Sequence, residues 1–147
     1  MRRKNKEASP LPKVGVSKCL LGYKCRYDGG HKFDEELVDS LKGCQVIPFC
    51  PEEALGVPRE PIDIVEEEVV GKNSKKLYTP VILGEAKKFI ETHPDMDIFY
   101  LKSKSPSCAL KSAKRYDKDN NLLSNSATGV FAKELKKWYK KAKFYER

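Results

Sequence analysis

Five cysteines, Cys19, Cys25, Cys44, Cys50 and Cys108, are the side chains best equipped for chemistry in this chain of 147 residues. Their number is odd, and the N-terminus MRRKNKEASP has no apolar stretch behind it. A secreted disulfide framework is therefore not expected, and metal binding or catalysis is the better reading of the thiols. The spacing narrows this further. Cys19 and Cys25 are six apart, as are Cys44 and Cys50. That is neither the close pair of a zinc knuckle nor the serial run of a ferredoxin. Only His31 and His93 could supply imidazole. Any metal site must then be assembled by the fold from distant segments. Helpers stand close by in sequence. Glu52 and Glu53 follow Cys50-Pro51, and a carboxyl there can act as general acid or base. Ser105 and Ser107 flank Pro106 just before Cys108 and can orient a substrate. Arg26, Asp28 and Arg59 can bind polar or anionic groups, although each of these, taken alone, also reads as a solvated loop residue.

The elements that must position these groups can be read from periodicity. VGVSK (14–18) is short and β-branched and ends at Cys19, which predicts a buried first strand. A Gly- and Asp-rich loop follows. Asp34 is placed to cap a helix over 35–42 that stops at Gly43. QVIPF (45–49) predicts a second strand ending at Cys50. The proline-rich run PEEALGVPREPIDI excludes a regular helix. Residues 61–70 and 75–79 suggest a ribbon turning at Gly71-Lys72-Asn73. Thr79 is expected to cap a helix over 80–92, with Pro80 in its first turn. DIFYLK (97–102) predicts a third strand. A long polar loop with a hairpin at Asp119-Asn120-Asn121 follows. Thr128 should cap a last helix reaching about residue 142, with Phe131, Leu135 and Trp138 on one side. KFYE could be a final short strand.

This alternation predicts an α/β fold, a single Rossmann-like domain with a small, mainly parallel sheet flanked by helices. In such sheets ligands gather beyond the carboxyl ends of the strands. Cys19 and Cys50 directly follow the first two strands, and Cys108 lies six residues past the third. Three thiols from separate loops thus meet at one sheet edge. Cys25 could join them, whereas Cys44 precedes its strand and reads as a small core residue. Three thiolates could hold a cubane iron–sulfur cluster by three of its irons. The fourth iron would stay open, a Lewis acid soft enough to take sulfur.

Four stretches resemble a family of thiouracil desulfidases formerly known only as a domain of unknown function: SKCLLGYKCRYDGG (17–30), PFCPE (48–52), VPREPI (57–62) and SKSPSC (103–108). TGVFAKEL (128–135) resembles the family's closing helix, and the resemblance runs from about residue 14 to the end. It implies a [4Fe–4S] cluster held by Cys19, Cys50 and Cys108, the same thiols that the strand ends select. It implies non-redox transfer of sulfur from a thiolated pyrimidine, 2- or 4-thiouracil, to the open iron, giving uracil and hydrosulfide. By motif Glu52 becomes the acid–base carboxylate and Ser105 a catalytic or orienting group, with Arg26, Asp28, Arg59 and Ser107 expected to bind substrate. Cys25 falls where the family's cysteine is not a ligand. Ala109 stands where the family usually has glycine, so substrate shape could differ.

Composition bounds the alternatives. Hydrophobic residues are 39% and charged residues 34%, too apolar for a disordered chain, and no apolar run is long enough for a membrane helix. We expect a soluble cytoplasmic protein with residues 1–13 as a flexible basic arm and residues 14–147 as one domain. The formal charge is +8. Its excess lies in that arm and in residues 132–147, which carry seven basic and two acidic groups. This basic end allows two other readings: desulfidation of 4-thiouridine within tRNA, or a non-catalytic module binding zinc and nucleic acid. The simpler account of the charge is a solvated tail and helix face. A cluster enzyme would also depend on the cellular cluster-assembly machinery.

Overall fold

The computed structural model describes residues 11–24, 30–56 and 59–147. The first sheet contains β1 (Lys13–Ser17), β2 (Gln45–Phe49), β5 (Ile98–Leu101) and β8 (Lys143–Glu146), in the spatial order β2-β1-β5-β8. All three pairings are parallel. Pro48 is accommodated because β2 is an edge strand and needs no inward amide there. Helices cover both faces. On one side α1 (Glu35–Ser40) places Leu37 over Val14 and Val16 of β1. On the other, α2 (Thr79–Thr92) and α3 (Val130–Trp138) bury Ile82, Phe89, Phe131 and Leu135 against Phe49 and Phe99.

This second layer is aromatic. Phe49 lies 5.4 Å from Phe89 and 5.2 Å from Phe131, measured between ring centroids. Truncating Phe131, which is 1% exposed, to alanine would cost about 3–5 kcal/mol. Phe99 packs so closely on β1 that a Cβ at Gly15 would stand 2.6 Å from its ring. Gly15 is thus what lets the central strand pass beneath the aromatic layer.

A second sheet, beyond the sequence expectation, has the order β4-β3-β6-β7. It is built from β3 (Ile62–Val65), β4 (Glu68–Gly71), β6 (Ala113–Tyr116) and β7 (Leu122–Ala127). β3/β4 and β6/β7 are antiparallel hairpins, joined by the parallel β3/β6 pair. The first hairpin turns at Glu66-Glu67, with Glu66 at φ 54°, and not at Gly71-Lys72-Asn73 as the turn-forming residues suggested. The stretch after Gly71 forms a second turn, closed by a bridge between Val70 and Leu77. The expected turn at 119–121 is present: Asp117 accepts from the Asp119 and Asn121 amides at 2.9 and 2.8 Å.

The capping expectations fared differently. Asp34 caps α1 by accepting from Leu37 N at 3.0 Å. Thr79 falls inside α2 and accepts from Val69 N instead. Thr128 precedes a helix that begins at Val130, and its hydroxyl donates to the Leu110 carbonyl. That helix ends at Trp138, because the chain must turn to enter β8. Trp138 is 63% exposed, and Tyr139, whose hydroxyl donates to the His93 carbonyl, takes the buried position. No helix among the described residues is long and apolar enough to cross a membrane.

Candidate active site

Each candidate cysteine sits where a strand hands over to a turn. Cys19 lies in a 3-10 turn (Lys18–Leu21) directly after β1, and Gly22 ends that turn at φ 93°. The chain then folds back, with the Lys32 amide donating to the Cys19 carbonyl at 2.9 Å. Cys50 follows β2 and precedes a second 3-10 turn (Pro51–Leu55). The turn carries Glu52 one residue past the proline, on the side of the thiol. Cys108 follows β5 through a tight loop in which the Ala109 amide donates to the Ser105 carbonyl at 3.0 Å. All three thiols line one cavity of about 880 Å³, together with Glu52, Ser105 and Ser107.

The polar groups form a chain of contacts. Ser107, fully buried, donates to Glu52 Oε2 at 2.6 Å. Ser105 Oγ is farther from that oxygen, at 3.4 Å, and 3.1 Å from Ser107 Oγ. Its firmer contact is with the backbone: it accepts from the Cys108 amide at 2.9 Å. Ser105 thereby shapes the cysteine loop, and Ser107 is the hydroxyl that holds the carboxylate. Arg59 Nη2 stands 3.6 Å from Glu52 Oε1, so the arginine faces the acid. Arg26 and Asp28, and with them Cys25, lie outside the described residues, as does most of the basic arm. Cys44 is half-buried and packs beside the α1 core, apart from this cavity.

Sequence reasoning missed the supports behind the Cys108 loop. The start of α3 is pressed against it. Amides of Gly129, Val130 and Ala132 donate to the carbonyls of Ala109, Pro106 and Ser107. A Cβ on Gly129 would stand 2.4 Å from the Ser107 carbonyl carbon, so only glycine allows this approach. The Thr-Gly pair before the helix was the available signal, but capping chemistry does not reveal which backbone will come so close. Also missed was the cavity's far wall, where Asp63, Lys114, Tyr116 and Asn125 come from the second sheet. Lys32, Lys102 and Lys104 add cationic groups around it.

Electrostatics tests what the thiols can hold. Burial pushes the Cys108 thiol up to about 12, and the negative charges of Glu52 and Cys50 add to this, while hydrogen bonds from Ser17 and Ser107 pull the other way. Thiolates beside a carboxylate in such a cavity require a compensating cationic centre. Among the described residues no three Cys, His, Asp or Glu side chains converge as ligands of one ion would. A cubane asks for less convergence, since each of its thiolates binds a different iron. The donor set of three soft thiols in a roomy cavity fits such a cluster.

Comparisons with known proteins place the chain in a family. A solved structure described as a [4Fe-4S]-dependent thiouracil desulfidase, TudS, superposes with a TM-score of 0.71 at 27% identity, covering 92% of this chain and 91% of that one. The uncharacterized protein YbbK of Bacillus subtilis (strain 168) is 30% identical over 106 residues, 63% of this chain and 70% of that protein. The family model for 2-thiouracil desulfurase matches residues 14–146, a span holding every element that builds the cavity, so this chain belongs to that family.

Proposed function

We propose that this protein is a [4Fe–4S]-dependent thiouracil desulfidase, with Cys19, Cys50 and Cys108 holding the cluster and Glu52 handling protons beside it. The observation that carries the reading is the gathering of three strand-end thiols and the Glu52–Ser107 pair on one cavity. Family membership and the TudS likeness support it. They also favour an enzyme over a zinc-binding module. Bound by three thiolates, a cluster of this kind supplies one open iron, a soft Lewis acid for the sulfur of a thiocarbonyl.

The protein's own groups do the rest. Net hydrolysis exchanges a thiocarbonyl sulfur for the oxygen of water, giving uracil and hydrosulfide with no net electron transfer. Glu52 takes one proton of the attacking water and can pass it to the departing sulfur, which leaves as hydrosulfide, while the second proton of the water goes to solvent. Ser107 occupies Glu52 Oε2 and fixes the carboxylate's rotation, while Arg59 stands 3.6 Å from Oε1. Ser105 holds the loop that presents Cys108. The apolar base of the cavity, with Phe49, Pro61 and Ile62, offers surface for a flat ring.

The test is turnover by anaerobically reconstituted protein on 2- and 4-thiouracil, followed by loss of thione absorbance and by hydrosulfide release. Release of hydrosulfide in step with uracil is expected. Cluster-loaded protein that leaves both compounds unchanged would overturn the reading.

A second reading places the thiocarbonyl on a thiolated nucleotide unit within tRNA. Its support is the group of lysines, Lys32, Lys102, Lys104 and Lys114, on a cavity much larger than a single base needs. Thiolated RNA would then be processed with a steep salt dependence, and free thiouracil without one. In either case the cluster would come from the cellular assembly machinery.

A further inference from the structure

Two residues outside the cavity join the loops of two candidate ligand cysteines. The Glu146 carboxylate, in β8, accepts three hydrogen bonds through Oε2: from Leu110 N at 2.9 Å, Lys111 N at 3.0 Å and Ser112 Oγ at 2.6 Å. Ser112 Oγ in turn accepts from Lys104 N at 2.7 Å. Lys104 sits at φ 65°, a strained conformation for lysine that this bond helps to hold. Both ends of the 104–112 segment, which carries Ser105, Ser107 and Cys108, thus hang from one side chain. Burial pushes the Glu146 carboxyl up, but donors from Lys111, Ser112 and Leu110 outweigh it and hold it below the usual range. The carboxylate therefore keeps its charge, and with it the strength of these bonds.

Arg147 reaches the other loop. Its Nε and Nη2 donate to the two oxygens of Asp34 at 3.0 and 3.2 Å, and Nη2 also reaches Glu36 at 3.0 Å. Asp34 caps α1, and its amide donates to the Leu20 carbonyl, next to Cys19. The Arg147 backbone bonds Leu101 and Ser103 at the exit of β5. Partly exposed ion pairs of this kind contribute little to global stability. A bidentate fork does fix geometry, as outer partners of metal ligands do.

We infer that Glu146 and Arg147 form a positioning clamp that sets the Cys19 loop against the Cys108 loop and so governs how firmly a cluster is retained. This rests on the reading of those cysteines as ligands. The experiment compares the parent with Glu146→Gln, Arg147→Ala and Ser112→Ala, each anaerobically reconstituted. It records iron and acid-labile sulfide per chain, the decay of visible cluster absorbance under an iron chelator, and the melting temperature. Ile82→Val, which trims the buried face of α2 and removes none of the clamp's hydrogen bonds, is the control. We expect about tenfold or faster cluster loss in Glu146→Gln and Arg147→Ala, with Ser112→Ala intermediate. Ile82→Val should keep the parental decay although its melting temperature falls. Parental decay in all three clamp variants would overturn the clamp, as would equally fast loss in the control. A parent that takes up no iron would overturn the cluster reading itself, and the clamp with it.

Discussion

Ser107 Oγ donates to Glu52 Oε2 at 2.6 Å, across a sequence separation of 55 residues. The serine is fully buried, and the carboxylate lies on the same cavity as Cys19, Cys50 and Cys108. The bond ties the turn after β2 to the loop after β5. It makes the position of the proposed acid–base group depend on the loop that carries a candidate ligand.

Replacing Glu52 by glutamine keeps the shape but removes the proton acceptor. Turnover should fall by about 10²–10⁴-fold. Iron and sulfide per chain should stay at the parental level, as read by elemental analysis beside the activity assay. Parental turnover in this variant would reject the role of Glu52.

The two serines should separate. Ser107→Ala leaves Glu52 Oε2 without its closest donor, a loss of about 1–3 kcal/mol that should appear mainly in kcat. Ser105→Ala removes the acceptor of the Cys108 amide, so cluster retention should suffer more than kcat. Paired measurements of kcat and chelator resistance check both. Equal effects of the two variants on both readouts would contradict the division.

Gly129→Ala should be severe for a single methyl. The added carbon would meet the backbone of Ser107 and Cys108, at 2.4–2.7 Å, and a backbone cannot swing aside as a side chain can. We expect destabilisation of at least about 1–3 kcal/mol with reduced cluster uptake, measured by thermal melting and iron content. Gly84→Ala, where nothing stands within 4 Å, is the matched control and should be tolerated.

Glu60 gives a pH prediction. The Ser74 hydroxyl and amide are the main groups that lower its carboxyl from 4.5 to about 2. The Asn73 amide and Tyr78 hydroxyl add to them, against the opposing effect of burial. A carboxyl depressed in the folded state stabilises it above the unfolded value, and that stabilisation is lost as pH falls toward the folded one. Glu60→Gln should therefore melt below the parent at pH 7. The gap should close between about pH 4.5 and pH 2. Melting curves of the cluster-free proteins across that range would show it. A gap unchanged at pH 2 would contradict the assignment.

Much of the first sheet was legible because its strands are short β-branched or aromatic runs, two of which lead straight to a cysteine. Asp34 was legible as a cap because its chemistry is local. The second sheet was not. β7 (Leu122–Ala127) reads LLSNSA, with little alternation and polar residues where a strand signal would be expected. The reversal at Glu66-Glu67 uses two glutamates and no glycine, so the stronger turn residues at 71–73 drew the assignment away. Helical spacing sets Trp138 on the same side as Phe131 and Leu135, but the helix ends there and the next residue turns in. The three cysteines were brought to one cavity as the strand-end rule predicts. The Glu146 and Gly129 contacts were invisible, because they depend on which loops the tertiary fold presses together.

The most direct test of the central claim is iron and acid-labile sulfide per chain after anaerobic reconstitution, in the parent and in Cys19→Ser, Cys50→Ser, Cys108→Ser and Cys44→Ser. The account predicts close to four of each in the parent and in Cys44→Ser, the stoichiometry of a [4Fe–4S] cluster. It predicts sharply reduced or labile iron in the other three. A parent with little iron, or full and stable clusters in all four variants, would contradict it.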